Sequence, residues 1–520
     1  MDRIYRVYFL PDSDSLGSTG LRNGRQAKKR GTMSLNTKKI VIAVIGLFFL
    51  GALLIVGGIE SNKRVLGKKA YIKVSSSSQN CVDCHTVTSP SLIKQWRDSQ
   101  HALKGVGCIE CHGAKSTDAD AWSHEGALVA VIVSPKDCSK CHANENEQFQ
   151  ASHHADAAKI IGSLDNVLAE VIEGDMGALA LNGQSPVAVN GCWQCHGSVV
   201  KIMENGRPDP ATWPNTGIGR INPDGSKGSC SACHSRHRFS AVVSRQPDSC
   251  GKCHMGPDHP QKEIYEESKH GIAFKAFKQD MNLSAQPWRA GIEYSAAPTC
   301  ATCHMSATDE LPVTHDVGMR ISWNLRPPIS EKIDAKAIQA GEHVVPWQDR
   351  REDMKIVCSK CHAKNYVEGF YMQFDSAINL YNEKYGKPTT SIMKMMKAGK
   401  VLTATNFDEE LEWTYFYLWH HEGRRARHGA SMMAPDYTQW HGFFEVAERF
   451  YMHFVPQVRI ACEDKIRRGG EVANAAKQVL AELDSILGRD EHKWFLGKMT
   501  DDEKDRRKIA AEEFKKRYAQ

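Results

Sequence analysis

The hydrophobic pattern of this 520-residue chain changes character twice. Ile40 to Ile59 (IVIAVIGLFFLGALLIVGGI) is an unbroken apolar run behind Lys38 and Lys39. Twenty helical residues cover about 30 Å, so the run predicts a membrane-spanning helix. It exceeds the roughly 7–15 apolar residues of a cleaved signal peptide, and no clean small-x-small site follows Ile59. An uncleaved signal anchor is therefore expected, with a removed signal peptide as the alternative. Residues 60–80, ending in the serine run Ser75–Ser78, read as a linker. Beyond residue 366 the apolar spacing turns helical, over Val367–Tyr385, Glu409–His428, Tyr437–Phe454 and Glu471–Leu487. Breaks are expected at Gly386/Pro388, at Pro435 and at Gly469–Gly470. The last twenty residues are charged throughout and predict an exposed helix.

Charge follows the same partition. Residues 1–69 hold 13 Lys+Arg against 4 Asp+Glu, a net of +9, whereas the rest carries 54 basic and 57 acidic residues, a net of −3. The overall +6 thus belongs to the flank of the apolar run, which should stay cytoplasmic. The body has no basic field for nucleic acid. The expected order is a basic cytoplasmic segment 1–39, an anchor 40–59, a linker 60–80, a domain 81–365 and a helical region 366–520. The body would lie on the periplasmic or equivalent non-cytoplasmic side. Met1 and Met33 both remain candidate starts.

The chemistry lies between residues 81 and 362. Sixteen of the 17 cysteines fall in eight Cys-x-x-Cys-His motifs. These are Cys81/Cys84/His85, Cys108/Cys111/His112, Cys138/Cys141/His142 and Cys192/Cys195/His196, then Cys230/Cys233/His234, Cys250/Cys253/His254, Cys300/Cys303/His304 and Cys358/Cys361/His362. Such a motif attaches haem c: the thiols add across the vinyl groups and the histidine ligates iron. Successive motifs start 27, 30, 54, 38, 20, 50 and 58 residues apart, so there is no simple tandem repeat. Eight covalently bound haems in 282 residues leave about 35 residues per haem. A segment that short cannot build a large core, so the porphyrins must supply buried apolar surface. The expected fold class is mainly α, a multihaem cytochrome c with a loop-rich octahaem region and long C-terminal helices. Cys462, the remaining thiol, reads as buried and inert.

Saturated bis-histidine irons transfer electrons, whereas an iron with an open face binds substrate. Of 23 histidines, 15 remain after the eight proximal ones. His101, His124, His153 or His154, His237, His270, His315 and His428 are candidate distal ligands. Asp258–His259, in MGPDHPQKEIYEESKHG, forms a candidate proton-transfer pair. The segment WHHEGRRARHGASMMAPDYTQWHGFFE, 419–445, is dense in histidine, arginine and aromatic residues and predicts a crowded polar interface.

With these segments the chain resembles the octahaem hydroxylamine oxidoreductase family over about residues 80–490. The resemblance rests on the eight motifs, the long gap before the fourth, GPDHP…EIYEESKHG and WHHEGRRARHG…DYTQWHG. It implies that the fourth haem, at Cys192, Cys195 and His196, is catalytic and lacks a distal protein ligand. It implies that Asp258 and His259 are the acid–base pair, and that the protein is a homotrimer. Oxidative members also carry a tyrosine from a neighbouring subunit bonded to that porphyrin. Tyr437 matches it best and Tyr451 second. The implied activity is oxidation of hydroxylamine or hydrazine, with electrons passed through seven bis-histidine haems to a soluble cytochrome c or a quinone-linked membrane partner. Reduction of nitrite or hydroxylamine at the same site is one alternative. A membrane-tethered electron conduit with every iron saturated is another.

Overall fold

The computed structural model describes residues 73–162 and 183–519, with scattered positions in 34–53 and in 163–182. The chain divides into two compact units, 1–71 and 72–520.

In the first unit the membrane expectation is corrected. Among the described residues no helix is long and apolar enough to cross a membrane. A crossing needs about 20 apolar helical residues. The fold therefore does not support the transmembrane helix or the membrane-anchored localisation that the apolar run predicts. Residues 54–59, the candidate starts Met1 and Met33 and most of the expected linker lie outside the described residues.

In the second unit, the serine run opens a helix. Ser75 Oγ accepts from Ser78 N–H at 3.3 Å and caps Ser76–Thr88, which carries the first motif. The other motifs sit on or beside short helical turns, such as Ile109–His112, Trp193–His196 and Cys300–His304. A helical turn suits haem attachment, because residues three and four apart share a face. In motifs two, three, five, six and eight the histidine backbone N–H donates to the carbonyl of the first cysteine at 2.8–3.0 Å, which holds both thiols and the imidazole on one turn. Regular strands among the described residues are two short antiparallel ribbons, Trp122–His124 with Ala127–Val129 and Trp323–Asn324 with Glu331–Lys332.

Apolar packing is uneven. The motif region holds small clusters, one around Val82, Ile93, Trp96 and Ala102 and another around Phe274, Met281, Trp288 and Tyr294. It encloses an internal cavity of about 2730 Å³ instead. The principal core lies in the C-terminal helices, where Tyr381, Ile392, Met396, Leu418, Phe450, Phe454, Val458, Cys462 and Leu483 are all fully buried. Val455–Arg468 packs along Glu471–Leu487, and Gly469 and Gly470, both at positive φ, make the turn between them. The expected break at Gly386/Pro388 is not a break. Lys364–Tyr381 runs through a π-helical turn, Asn382–Gly386, into Lys387–Ala398. The wider turn lets Pro388 enter without ending the helix. Similar π turns occur at Tyr417–Glu422, Gln439–Phe444 and Arg449–Phe454.

Candidate functional site

The cavity is lined by cysteines and histidines from all eight motifs. Its volume of about 2730 Å³ is several times the roughly 300–1,000 Å³ of an ordinary small-molecule pocket. None of the motif cysteines is in a disulfide.

Six motif histidines face a second histidine across this space. Ring centres are 6.1 Å apart for His85–His124, 6.4 Å for His112–His237 and 6.2 Å for His142–His101. They are 6.5 Å apart for His234–His315, 6.0 Å for His254–His154 and 6.0 Å for His362–His270. An imidazole nitrogen bonds a first-row metal at about 2.0–2.1 Å, so two imidazoles on one metal hold their ring centres roughly 6 Å apart. The pairs fit one iron each. Backbone carbonyls turn some rings for the purpose: His112 Nδ1 lies 2.8 Å from Ala130 O, and His304 Nδ1 lies 3.2 Å from Val317 O, leaving Nε2 for metal.

Two candidates stand apart from this pattern. No histidine ring stands opposite His304 or His428 at that spacing among the described residues. His153 lies against Gly318, next to the Val317 carbonyl that His304 reaches. His428 is buried, its Nε2 has no hydrogen-bond partner, and burial with the charges of Arg427 and Arg424 holds its pKa well below the usual value.

Contacts between motif cysteines give the motifs an order in space. Cys81 lies in electrostatic reach of Cys108, Cys138 of Cys230, Cys195 of Cys253 and Cys250 of Cys300. Cys111 lies in electrostatic reach of Cys138, Cys233 of Cys250 and Cys303 of Cys358. Motifs one, two, three, five, six, seven and eight thus form a series, and motif four joins it at motif six.

The thiols are not equally enclosed. Cys84, Cys141 and Cys361 are exposed, whereas the other motif cysteines are part-buried. Cys84 and Cys361 also lie off the cavity lining, although their motif partners Cys81 and Cys358 are on it. They belong to motifs one and eight, the two ends of the series.

Asp258 and His259 sit at the junction of motifs four and six. His259 Nδ1 is 2.5 Å from Asp258 Oδ1, the His259 ring centre is 6.2 Å from that of His254, and its charge reaches Cys195 of motif four. Burial opposes ionisation of Asp258. The hydrogen bond and charge of His259, with His420 and Arg424, outweigh it and hold the carboxyl well below the usual carboxylate range. Arg424 Nη1 donates to Asp258 Oδ2 at 3.1 Å, and its Nε donates to Arg326 O at 2.8 Å. Arg424 and His420 belong to the polar-dense 419–445 segment, whose composition points to an interface without singling out these two. Arg326 carries no signal in its local sequence, NLRPP.

The two tyrosines part company. Tyr451 is buried, its hydroxyl is 2.8 Å from His492 Nδ1, and its ring stacks 4.1 Å from Phe495. Tyr437 is half-buried, away from the cavity lining, and burial beside Glu263 and Glu267 raises its pKa. Trp440 and Phe444 nearby are 57% and 53% exposed.

Residues 218–407 match the family model described as seven times multi-haem cytochrome CxxCH, and residues 58–113 match that of cytochrome c554 and c-prime. A curated relative, a probable nitrite reductase-hydroxylamine oxidoreductase fusion protein of Kuenenia stuttgartiensis, is 26% identical over 55% of this chain and 34% of its own length. The chain thus spans about a third of that relative. A solved structure of a hypothetical multiheme protein aligns with TM-score 0.65 and 24% identity, covering 75% of this chain and 97% of its own. A reducing HAO-like protein complex of Kuenenia stuttgartiensis aligns with TM-score 0.53 and 17% identity, covering 79% and 87%. These two structures share the mainly α fold. Motifs, family models and fold are those of the multihaem cytochromes c, which bind haem covalently, and the relatives this chain is similar to include hydroxylamine oxidoreductase-like proteins.

Proposed function

We propose that the chain carries eight haems c and oxidises hydroxylamine or hydrazine at the one attached to Cys192, Cys195 and His196. The position of the Asp258–His259 pair, beside Cys195 and His254, carries this reading. Loss of electrons from an N–H or O–H compound goes with loss of protons, so a base must stand at the reacting face. Asp258 engages His259 Nδ1 and leaves Nε2 as the proton-accepting atom. Arg424 fixes the carboxylate from its other side. Bound haem supplies the electron acceptor, and bis-histidine haems carry the electrons onward. His101, His124, His154, His237, His270 and His315 are the proposed distal ligands for motifs three, one, six, two, eight and five. His153 and His428 are the candidates for the seventh motif. The electron acceptor would be a soluble cytochrome c or a quinone-linked partner.

Tyr437, rather than the enclosed Tyr451, is the proposed cross-linking residue. It sits beside the exposed Trp440 and Phe444, a face that a neighbouring subunit of a homotrimer would cover. Boiled wild-type protein should show haem-stained oligomers on a denaturing gel, and Tyr437→Phe should run as a monomer.

The reverse reaction, reduction of nitrite or hydroxylamine, is the second reading. Both Kuenenia relatives favour it, one being called a reducing complex and the other in part a nitrite reductase. His259→Ala should keep its haems and lose about 10²–10⁴-fold in turnover, as for a lost general base. If the variant retains wild-type turnover, the assignment fails. Wild type that reduces nitrite with a viologen donor but leaves hydroxylamine untouched, with no cross-linked oligomer, selects the reductive reading.

A further inference from the structure

The Asp258 carboxylate has a second neighbour beyond Arg424. Its Oδ2 lies 4.0 Å from His420 Nε2. The His420 and His421 rings are 5.3 Å apart between centres. His421 lines a separate polar pocket of about 430 Å³, together with Tyr417, Glu422, Arg425, Glu445 and Arg449. The π-helical turn Tyr417–Glu422 makes this possible. Its wider winding sets His420 toward Asp258 and puts His421 and Glu422 on the pocket wall.

Glu422 is 3% exposed. Its Oε1 accepts from Arg449 Nε and Nη2 at 2.9 and 2.6 Å, whereas Oε2 is buried without a hydrogen-bond partner. Arg425 Nε is orphaned in the same way. A water takes about 30 Å³, so the pocket has room for several, and orphaned polar atoms are what buried water satisfies. On the outer side Glu445 holds Arg425 Nη2 at 2.5 Å and lies 3.0 Å from His441 Nδ1. His441 is half exposed.

A base used at every turnover must exchange its proton with the outside. We propose that His420, His421 and Glu422, with water in this pocket, conduct protons between the Asp258–His259 pair and the exterior. The idea rests on the functional reading above, in which that pair handles substrate protons, and it holds for either direction of the reaction. His421 takes a proton on one ring nitrogen and releases one from the other. Glu422 takes one on Oε2 and gives it up to pocket water. Glu422 ends as it began, His421 ends as its other tautomer and resets by turning its ring, and one proton crosses per cycle. Arg424 cannot serve, because a guanidinium keeps its protons, so it positions Asp258. Burial raises the Glu422 carboxyl against Arg449 and Arg425, which favours its protonated form, whereas burial with His420 brings His421 down to about 4, which favours the neutral ring.

The experiment uses the full haem-loaded protein with Glu422→Gln, Glu422→Asp and His421→Phe. Glu422→Gln should keep wild-type haem content and spectrum, lose roughly 10-fold or more in turnover, and show a larger solvent deuterium isotope effect. Formate or acetate, as small weak acids, should restore part of the rate, and Glu422→Asp should retain most of it. A second measurement does not depend on turnover. Reduction by viologen in a pH-indicator solution should show slowed proton uptake in Glu422→Gln and His421→Phe. Turnover and proton uptake at wild-type rates in both variants overturn the relay. So does a slowed variant that weak acids do not rescue and whose proton uptake matches wild type. Wild type inert toward hydroxylamine, hydrazine and nitrite overturns the functional reading instead, and the uptake kinetics then still decide the relay.

Discussion

The motif region and the C-terminal helices are two halves of one unit that hold themselves together differently. Around the C-terminal core, aromatic and aliphatic side chains from at least five helical segments interlock, and Phe450, Phe454 and Leu483 are at most 1% exposed. The motif region instead surrounds about 2730 Å³ of interior space with short turns and four-to-eight-residue clusters. Apolar burial stabilises by about 25 cal/mol per Å², so the C-terminal half carries its own stabilisation and the motif half draws it from what fills the cavity. Structure-building and cofactor-holding fall to different stretches of chain.

The largest test of this contrast is to make the protein without haem attachment. Hydrogen exchange should lose protection across residues 81–362 while the helices between Lys364 and Leu487 keep theirs. Uniform protection, or uniform loss, would erase the distinction. Within the autonomous half, Phe450→Ala should cost about 3–5 kcal/mol by denaturant melting. In the motif half, Ile93→Ala should sit near the low end, about 2 kcal/mol, because its cluster is small. Equal losses would mean the two halves share one core.

A smaller effect concerns Asp375, which joins the halves. It accepts from Arg351 at 2.6 and 2.7 Å and from Trp323 Nε1 at 2.7 Å. Burial alone would raise its pKa, but these hydrogen bonds and the Arg351 and Lys332 charges lower it. A carboxyl lowered on folding stabilises above its unfolded value of about 3.9 and loses that contribution as pH falls through the folded value. Asp375→Asn should therefore cost about 2 kcal/mol at pH 7, and the difference from wild type should shrink in acid. A pH-independent difference would show that the charge is not the cause. Smallest of all, Ser75→Ala removes the cap of Ser76–Thr88 and should cost about 1 kcal/mol, read as earlier fraying by hydrogen exchange.

What could be read from sequence follows the range over which each feature is encoded. Haem attachment needs five consecutive residues, so the eight motifs are plain. How far each thiol is enclosed is not, because that depends on which segments the fold brings over it, as the exposed Cys84 and Cys141 show. The Gly469–Gly470 turn is local, because both glycines take positive φ. Thr500 and Glu503 cap the final helix reciprocally, as a capping box does. Which histidine faces which motif is encoded by folding over long separations, as with His112 and His237, and spacing carries no trace of it. The neighbours His153 and His154 differ only in which way they face. Pro388 misleads as a helix stop because a π turn absorbs it. The apolar run at 40–59 misleads too: hydropathy measures what a segment tolerates, and no described helix is both long and apolar enough for a crossing. At the site, Asp258–His259 was visible as a dipeptide, whereas Arg424, which arrives from 166 residues away, was not.

The cysteine contacts also set a topology of traffic. Motif four touches the series at motif six, which has motif five on one side and motif seven on the other. Charge set down at such a T-junction meets two arms, one running back to motif one and one running on to motif eight. On the function proposed above, a reaction yielding electrons in pairs or fours would empty its site at once and sort them afterwards. The long arm would hold electrons while the short arm passes them on, so delivery at either end would not have to keep step with the chemistry in the middle.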